Sequence, residues 1–308
     1  MIVLLAEPRG FCAGVDRAIS IVLRALEKFG PPVYVRHEIV HNRWVVEDLR
    51  RRGAVFVEEL DQAPDGAVVI FSAHGVAKSV EQEAAQRPLT VLDATCPLVS
   101  RIHREAEKLD RNGYRILLIG HRGHPEVVGT MGQVAPGHMS VIAKPEEARA
   151  FLAQQHGEPV AYLTQTTLSV DETAEVVAVL KEMAPEIREP AKEDICYATQ
   201  NRQNAVKALA ERCDLIFVLG APNSSNSNRL REVAERAGRP AQLIESARDV
   251  RPEWLEGVQT LGVTAGASAP EVLVEELLET FQERIERVEL LAYCRETLSF
   301  PLPRALQD

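Results

Sequence analysis

The chain has 308 residues, of which 45% are apolar and 26% are charged, so it is long enough to bury a sizeable core in two or three domains. Acidic side chains outnumber basic ones by 45 to 35, and the net charge of −10 argues against a broad surface for nucleic acid or an anionic membrane. No segment approaches the roughly 20 apolar residues of a membrane span. The first apolar run, Ile2–Ala6, is too short for a signal peptide. We therefore expect a cytoplasmic protein.

After this first strand, the predicted elements repeat three times along the chain. Each repeat begins with a cysteine that is followed by a helical pattern of apolar residues. A strand with a polar loop, a helix, a short strand, a third strand with a second polar loop and a closing helix then follow in the same order. The cysteines that mark the repeats are Cys12, Cys96 and Cys196. Internal periodicity of this kind sets the architecture before any single motif does.

The five cysteines are an odd number and contain no CxxC pair. Neither a disulfide framework nor a structural zinc site or ferredoxin-type run is therefore indicated. Cys213 and Cys294 are interpreted as ordinary structural thiols. For the other three cysteines, the repeat favours metal ligation. Three converging thiolates suit a cubane iron–sulfur cluster with one iron left without a protein ligand, and an open position of this kind is what catalysis needs.

Alternating strands and helices predict parallel sheets. We expect an α/β fold with three pseudo-threefold-related α/β lobes, whose small, mainly parallel sheets surround a central iron–sulfur site. The predicted lobes are residues 12–95, 96–193 and 194–286, with strand 2–6 completing the third lobe and residues 287–308 forming a C-terminal tail. Because ligands bind at the carboxyl ends of parallel strands, this arrangement would bring three cysteines and six polar loops to one site. Three unrelated α/β domains with buried thiols are the simpler alternative.

Polar side chains occupy the loops that follow the predicted strands. His41, His74 and His124 can donate charge-assisted hydrogen bonds to a phosphate when protonated. The loops of the third repeat instead carry hydroxyl and amide groups, at Ser224, Ser225, Asn226 and Ser268. Such residues ahead of a helix serve either as ordinary N-caps or as an anion site, and both interpretations stay open. No Walker A or dinucleotide fingerprint is present, which disfavours ATP hydrolysis and hydride transfer from a bound nicotinamide.

Glu126 is the one carboxylate inside a loop of this class. Its ordinary role would be a negative charge that complements the dipole at the start of a helix. Its functional role would be the delivery of a proton, directly or through Thr166 or a bound water.

Nine short motifs surround these residues, in order from Pro8 to about Glu271. They are PRGFCAGV, EIVHNRWVV, SAHGV, DATCPLV, GHRGHPEVVGT, TQTTLS, CYATQNRQ, NSSNSNRL and GVTAGASAPE. Together they resemble the LytB/IspH family of 4-hydroxy-3-methylbut-2-enyl diphosphate reductases, which perform the last step of the non-mevalonate isoprenoid pathway. The resemblance implies a three-lobed α/β fold. It also implies reduction of the allylic alcohol diphosphate to isopentenyl and dimethylallyl diphosphates, with loss of water.

The resemblance also implies roles for individual residues. One [4Fe-4S] cluster would be held by Cys12, Cys96 and Cys196. Glu126 would be the proton source, and Thr166 would orient the substrate hydroxyl. The implied substrate-binding residues are His41, His74, His124, Thr167, Ser224, Ser225, Asn226 and Ser268. Because no flavin or nicotinamide site is apparent, the electron donor is expected to be an external ferredoxin- or flavodoxin-type protein.

Two other classes of function stay open at this point. A lyase or hydratase with an open [4Fe-4S] iron would use the same ligands, and only dependence on an external electron donor would separate it from a reductase. A cluster or zinc protein that senses redox state would not need the His, Ser and Asn loops. Tight diphosphate binding would therefore count against the sensor.

Overall fold

The computed structural model describes residues 1–154 and 157–307, and strands and helices alternate along them. The strands are β1 (Ile2–Glu7), β2 (Val33–Arg36), β3 (Ala54–Val57), β4 (Val68–Phe71), β5 (Thr90–Asp93), β6 (Arg115–Ile119), β7 (Met139–Ile142), β8 (Val160–Thr164), β9 (Leu215–Leu219), β10 (Ala241–Ile244), β11 (Thr260–Ala265) and β12 (Arg287–Ala292). The helices are α1 (Ala13–Phe29), α2 (Arg43–Arg51), α3 (Lys78–Ala85), α4 (Pro97–Arg111), α5 (Pro125–Met131), α6 (Pro145–Leu152), α7 (Val170–Met183), α8 (Tyr197–Ala210), α9 (Ser225–Arg236) and α10 (Glu271–Thr280). Among these described helices, none has both the length and the apolar character needed to cross a membrane.

The strands form three sheets in the described part of the chain. Their strand orders are β10-β9-β11-β1-β12, β3-β2-β4-β5 and β7-β6-β8. All of the strand pairs in these sheets are parallel. The predicted α/β class with three small parallel sheets is therefore confirmed.

The chain divides into two compact units. The first unit consists of Met1–Asp16, Val40–Glu47 and Tyr197–Ser299, and it contains the five-stranded sheet. The second unit consists of Arg17–Ile39, Asp48–Cys196 and the segment from Phe300 onward, and it contains the other two sheets. The boundaries of the three lobes inferred from the sequence stay a prediction.

In both units, alternate residues of a strand face different apolar clusters, as the two-residue period of a strand requires. Val3 and Leu5 of β1 pack into one cluster, whereas Leu4 lies in the cluster on the opposite face. In the second unit, Leu117 of β6 packs into one cluster and Leu118 into another. Strands that are covered on both faces read as continuous apolar runs, which is why they were easy to locate in the sequence.

The segment that the sequence analysis assigned to a C-terminal tail, residues 287–308, begins with a strand. Arg287–Ala292 forms β12, an edge strand that pairs with β1 over its whole length. Val288 and Leu290 of this strand are exposed, so the segment lacks the fully apolar run of a central strand. The first strand, β1, lies between β11 and β12 and therefore belongs to the sheet of the third repeat.

Candidate active site

Each of the three repeat cysteines lies at the start of a helix. Cys12 directly precedes α1, Cys96 is the N-cap residue of α4, and Cys196 directly precedes α8. None of the three forms a disulfide bond, and all three are partly exposed. The partial positive charge of a helix N-terminus favours a thiolate over a thiol. For Cys12, burial acts more strongly in the opposite direction and raises the pKa of the thiol, although the charge of Arg202 and the backbone N–H groups of Gly14 and Val15 lower it. Among the described residues, no three His, Cys, Asp or Glu side chains are grouped closely enough to hold a single metal ion.

The backbone N–H of each cysteine donates a hydrogen bond to the polar loop that follows a neighbouring strand. The acceptors are the carbonyls of Ala267 for Cys12 (N···O 3.3 Å), Ala73 for Cys96 (3.0 Å) and Thr166 for Cys196 (3.1 Å). The residues that follow these acceptors are Ser268, His74 and Thr167. In all three repeats, an equivalent backbone hydrogen bond thus connects the predicted metal ligand to the loop that carries a predicted substrate-binding residue.

A second backbone bond recurs at the end of the first strand of each repeat. The bonds run from His37 N to Val57 O (2.8 Å), from Gly120 N to Ile142 O (2.9 Å) and from Gly220 N to Ile244 O (2.9 Å). Four residues after these donors stand His41, His124 and Ser224. These three predicted substrate-binding residues therefore hold equivalent positions in the three repeats, which supports the internal repeat inferred from the sequence.

Glu126 is buried at the start of α5, and Thr166 binds both of its carboxylate oxygens. Oε1 accepts from the Thr166 backbone N at 2.7 Å, and Oε2 accepts from the Thr166 hydroxyl at 2.7 Å. Burial raises the pKa of Glu126 to about 7, although the two bonds from Thr166 act in the opposite direction. The carboxyl group can therefore give up or take a proton near neutral pH, as a general acid must.

His74 and His124 lie together in the second unit, with ring centroids 5.7 Å apart in an edge-to-face arrangement. Nδ1 of His124 accepts a hydrogen bond from the backbone N of Glu126 at 3.2 Å, so the neutral ring carries its proton on Nε2. Nδ1 of His74 lies 3.4 Å from Oγ of Ser72. Both imidazoles are thus oriented through Nδ1, and the acid Glu126 is linked directly to the loop of His124.

Gln165 is a buried residue of this site that the sequence analysis did not single out. Its Oε1 accepts from the backbone N of His121 at 3.0 Å, and its Nε2 donates to Oγ1 of Thr167 at 3.0 Å. The side chain therefore fixes the loop with the two threonines against the loop that leads to α5. Its place inside the motif TQTT was the signal that could have identified it.

In the first unit, the loops of His41 and Ser268 are joined directly. Oγ of Ser268 donates to the backbone carbonyl of His41 at 2.9 Å. Nδ1 of His41 lies 3.4 Å from Nδ2 of Asn223. Since Ser268 also follows the carbonyl that anchors Cys12, these bonds connect the histidine loop to the cysteine loop within one unit.

Asn226 is buried in the first turn of α9, and neither its Oδ1 nor its Nδ2 has a hydrogen-bond partner among the described residues. A buried amide left without partners costs about 1–3 kcal/mol, so a fold that keeps one is suited to a polar ligand. Ser224 is the N-cap of α9 and accepts from Ser227 N at 3.3 Å, so the capping interpretation holds for this residue. Ser225 is partly exposed as the first residue of the helix.

Two glycines make room for the start of α9. A Cβ added at Gly220 or at Gly266 would lie 2.1 Å from Oγ of Ser227, which is fully buried. The hydroxyl of Ser227 in turn donates to Oγ of Ser224 at 3.0 Å. The glycines at the ends of β9 and β11 therefore allow the helix carrying Asn226 to sit close to the sheet.

The predicted site residues fall into two groups, one in each unit. The second unit holds Cys96, Cys196, His74, His124, Glu126, Thr166 and Thr167. The first unit holds Cys12, His41, Ser224, Ser225, Asn226 and Ser268. In each group, the polar residues lie on loops that are hydrogen-bonded to a cysteine or to one another.

Comparison with known proteins identifies the family. The model of the LytB protein family matches residues 3–282, which is most of the chain. The chain belongs to the LytB family. Two of its curated relatives are both named 4-hydroxy-3-methylbut-2-enyl diphosphate reductase. The protein of Magnetococcus marinus is 68% identical over 308 residues and is covered completely, as is this chain. The protein of Acinetobacter baylyi is 55% identical over 311 residues, which cover 100% of this chain and 98% of the relative.

Solved structures of LytB-type reductases agree with the fold. The E-1-hydroxy-2-methyl-but-2-enyl-4-diphosphate reductase of Plasmodium falciparum is 34% identical, with a TM-score of 0.94 over 99% of this chain and 96% of that one. A second structure, described as (E)-4-hydroxy-3-methyl-but-2-enyl diphosphate reductase, the terminal enzyme of the non-mevalonate pathway, is 33% identical. Its TM-score is 0.65 over 92% of this chain and 99% of that one.

Proposed function

We propose that this member of the LytB family is a 4-hydroxy-3-methylbut-2-enyl diphosphate reductase of the non-mevalonate isoprenoid pathway. The reaction removes the allylic hydroxyl group, adds hydrogen to the carbon skeleton, and releases one water together with either isopentenyl diphosphate or dimethylallyl diphosphate. It consumes two electrons and two protons, one for the departing hydroxyl and one for the carbon skeleton. The observation that carries the proposal is the buried Glu126–Thr166 pair, since this carboxyl group can supply a proton at neutral pH. The names of relatives that match over their full length support the same reaction.

The donor set fits an iron–sulfur cluster. Cys12, Cys96 and Cys196 form no disulfide bond, are partly exposed, and each directly precedes a helix. Each is anchored by a backbone bond of the same kind to a strand-end loop. We therefore propose these three residues as the protein ligands of one [4Fe-4S] cluster. When bound, such a cluster would supply electrons and, through an iron that lacks a protein ligand, Lewis acidity toward the substrate oxygen.

Proton delivery would fall to Glu126. Its carboxyl group is held by the backbone N–H and the hydroxyl of Thr166, so its position does not depend on the substrate. Protonation of the departing hydroxyl makes water the leaving group, which lowers the barrier to C–O cleavage. Thr166 would then orient both the acid and the substrate hydroxyl. Its own hydroxyl is fixed by donation to Glu126.

The diphosphate would be bound by the strand-end loops. In the second unit, His74 and His124 offer imidazole N–H donors, with Thr167 as a further hydroxyl donor, and charge-assisted bonds from such rings suit an anionic phosphate. In the first unit, the corresponding groups are His41, Ser224, Ser225, Asn226 and Ser268. The buried amide of Asn226, which has no hydrogen-bond partner in the part of the chain that the structure describes, is the strongest single indication of a polar ligand in this unit.

An external electron donor completes the proposal. We assign this role to a protein of the ferredoxin or flavodoxin type, since the motifs of this chain include no nucleotide or flavin fingerprint. The proposed location is the cytoplasm, where cysteines that form no disulfide bond stay reduced.

The experiment is purification without oxygen, followed by measurement of iron and acid-labile sulfide and an assay with the hydroxy-allylic diphosphate. About four of each per chain are expected, with substrate consumed only when a chemical reductant is present. Consumption without reductant would indicate a lyase or hydratase instead. If protein that was purified without exposure to air contains zinc or no metal, the assignment of the three cysteines as cluster ligands is wrong.

A further inference from the structure

Arg202 is the largest fully buried side chain of the described residues, with 0% of its surface exposed. It lies on α8, and all of its hydrogen bonds are formed inside the first unit. Burying a guanidinium is costly unless its donors and its charge are matched. The hydrogen-bond partners of a buried arginine therefore show which segments of the chain it positions.

The guanidinium holds the turn that leads to Cys12. Nε and Nη2 donate to the carbonyl of Gly10 at 3.1 and 2.8 Å, and Nη2 also donates to the carbonyl of Phe11 at 3.2 Å. Gly10 has a φ of +66°, a conformation that side chains other than glycine rarely adopt. The two residues directly before Cys12 are therefore fixed by a single side chain that is 192 residues away in the sequence.

Glu296 matches the charge of Arg202. Its two carboxylate oxygens lie 3.1 and 3.2 Å from Nη1, which also donates to the carbonyl of Ala198 at 2.9 Å. Oε1 of Glu296 accepts a further bond from Nδ2 of Asn201 at 3.0 Å. The carboxylate is thus held by two neighbouring residues of α8.

Glu296 belongs to the C-terminal segment for which the sequence suggested no role. The segment continues directly from β12, and the backbone N of Tyr293 donates to the carbonyl of Glu7 at 2.8 Å. The hydroxyl of Tyr293 also accepts a bond from Nδ2 of Asn204 at 3.0 Å. These contacts anchor the segment to the end of β1 and to α8, and so place Glu296 against the buried guanidinium.

We propose that Arg202 and Glu296 are a positioning pair for Cys12, in which Arg202 fixes the turn before the cysteine and places a positive charge against that turn, while Glu296 from the C-terminal segment holds Arg202 in place. The inference rests on the proposed role of Cys12 as a cluster ligand. It assigns a function to the C-terminal segment: by fixing this charge at the turn that carries Cys12, the segment adjusts the redox potential of the cluster. Reduction adds negative charge, so a fixed positive charge nearby favours the reduced state and a fixed negative charge disfavours it.

The test uses two variants that change charge with little change in size, and a matched control. Arg202→Gln removes the positive charge, and the midpoint potential of the cluster should shift downward. Glu296→Gln removes the negative charge and should shift the potential upward. Glu289→Gln is the control, because this carboxylate on β12 pairs with Arg287 and is 39% exposed, and it should leave the potential unchanged. A purely structural role would not produce shifts of opposite sign.

A second measurement needs no cluster. In cluster-free protein, hydrogen exchange of the peptide that contains Phe11 and Cys12 should become faster in Arg202→Gln than in wild type and in Glu289→Gln. Unchanged exchange would remove the positioning role, and unchanged potentials in both charge variants would remove the electrostatic one. If Arg202→Gln does not fold, Glu296→Gln alone decides, since its upward shift is required. Wild-type protein without iron and sulfide would contradict the proposed function instead, and the exchange measurement would still decide whether Arg202 fixes the turn.

Discussion

In the variant Glu126→Gln, the side chain keeps its size and can still accept a hydrogen bond from the Thr166 backbone, but it has no proton to deliver. Loss of a positioned general acid typically lowers a rate by about 10²–10⁴-fold. This corresponds to roughly 3–5 kcal/mol in the activation free energy. We expect kcat to fall within this range, while the iron content and substrate binding stay near those of wild type.

The raised pKa of Glu126 also predicts the direction in which kcat/KM changes with pH. Because the pKa of Glu126 is raised from 4.5 to about 7, the proton needed for catalysis is present below pH 7 and is lost above it. The kcat/KM of the wild type should therefore fall as the pH rises through 7, and this decline should be absent in Glu126→Gln. The assay is steady-state turnover under a chemical reductant between pH 6 and 9. Turnover of the variant near the wild-type rate, or with the same decline above pH 7, would refute the role of Glu126.

Stability measurements provide an internal check on this variant. A carboxyl group with a raised pKa stabilises the fold below its unfolded pKa, and this stability is lost as the pH rises through the folded pKa. For Glu126 the window runs from pH 4.5 to about 7, and the loss is about 3 kcal/mol at most. Burial raises the pKa of Asp194 to about 7 as well, so only the difference between wild type and variant isolates Glu126. The variant should therefore be at least as stable as wild type at pH 8, and its low activity would not reflect unfolding.

Three further predictions concern residues with different roles. Asn226→Leu removes a buried amide that has no partner among the described residues, so it should raise the free energy of unfolding by about 1 kcal/mol and also raise KM; a lower stability would contradict this assignment. Gly220→Ala places a Cβ 2.1 Å from Oγ of Ser227 and should destabilise the fold by about 1–3 kcal/mol in chemical denaturation, whereas unchanged stability would show that the start of α9 can shift. Cys96→Ser should lose iron and activity together. Cys213→Ser is its matched control: this thiol lies in an apolar cluster, its pKa is raised to about 12 by burial, and the variant should keep its iron.

Much of the architecture follows from local sequence patterns. The apolar runs around Leu117 and Phe217 are continuous because both faces of their strands are covered, so the strands could be located from the sequence. Their alternation with amphipathic helices required parallel sheets, since a parallel pair needs a crossover. The edge strand β12 lacked this signal because Val288 and Leu290 stay exposed.

For the candidate site, the sequence supplied the residues to consider but not their burial or most of their hydrogen-bond partners. Residue types and repeat spacing singled out the cysteines, the strand-end histidines and Glu126, because their chemistry is rare in loops of this kind. The sequence suggested Thr166 as a partner of Glu126, but it could not indicate that Glu126 is buried, and burial is what moves its pKa to about 7. Gln165 was missed for the same reason, since its role lies in two hydrogen bonds to separate loops.

The sequence by itself determined the family, the order of the strands and helices, and the chemical groups available to the site, because these depend on residue identity and local spacing. Tertiary structure decided which of those groups meet, how far each is buried and what charge stands beside it. Arg202 and Glu296 are the clearest example, since they are 94 residues apart and the sequence gives no sign that the motif CYATQNRQ and the C-terminal segment meet. Their pairing beside Cys12 exists only because β12 returns the end of the chain to β1, next to the turn that carries the first cysteine.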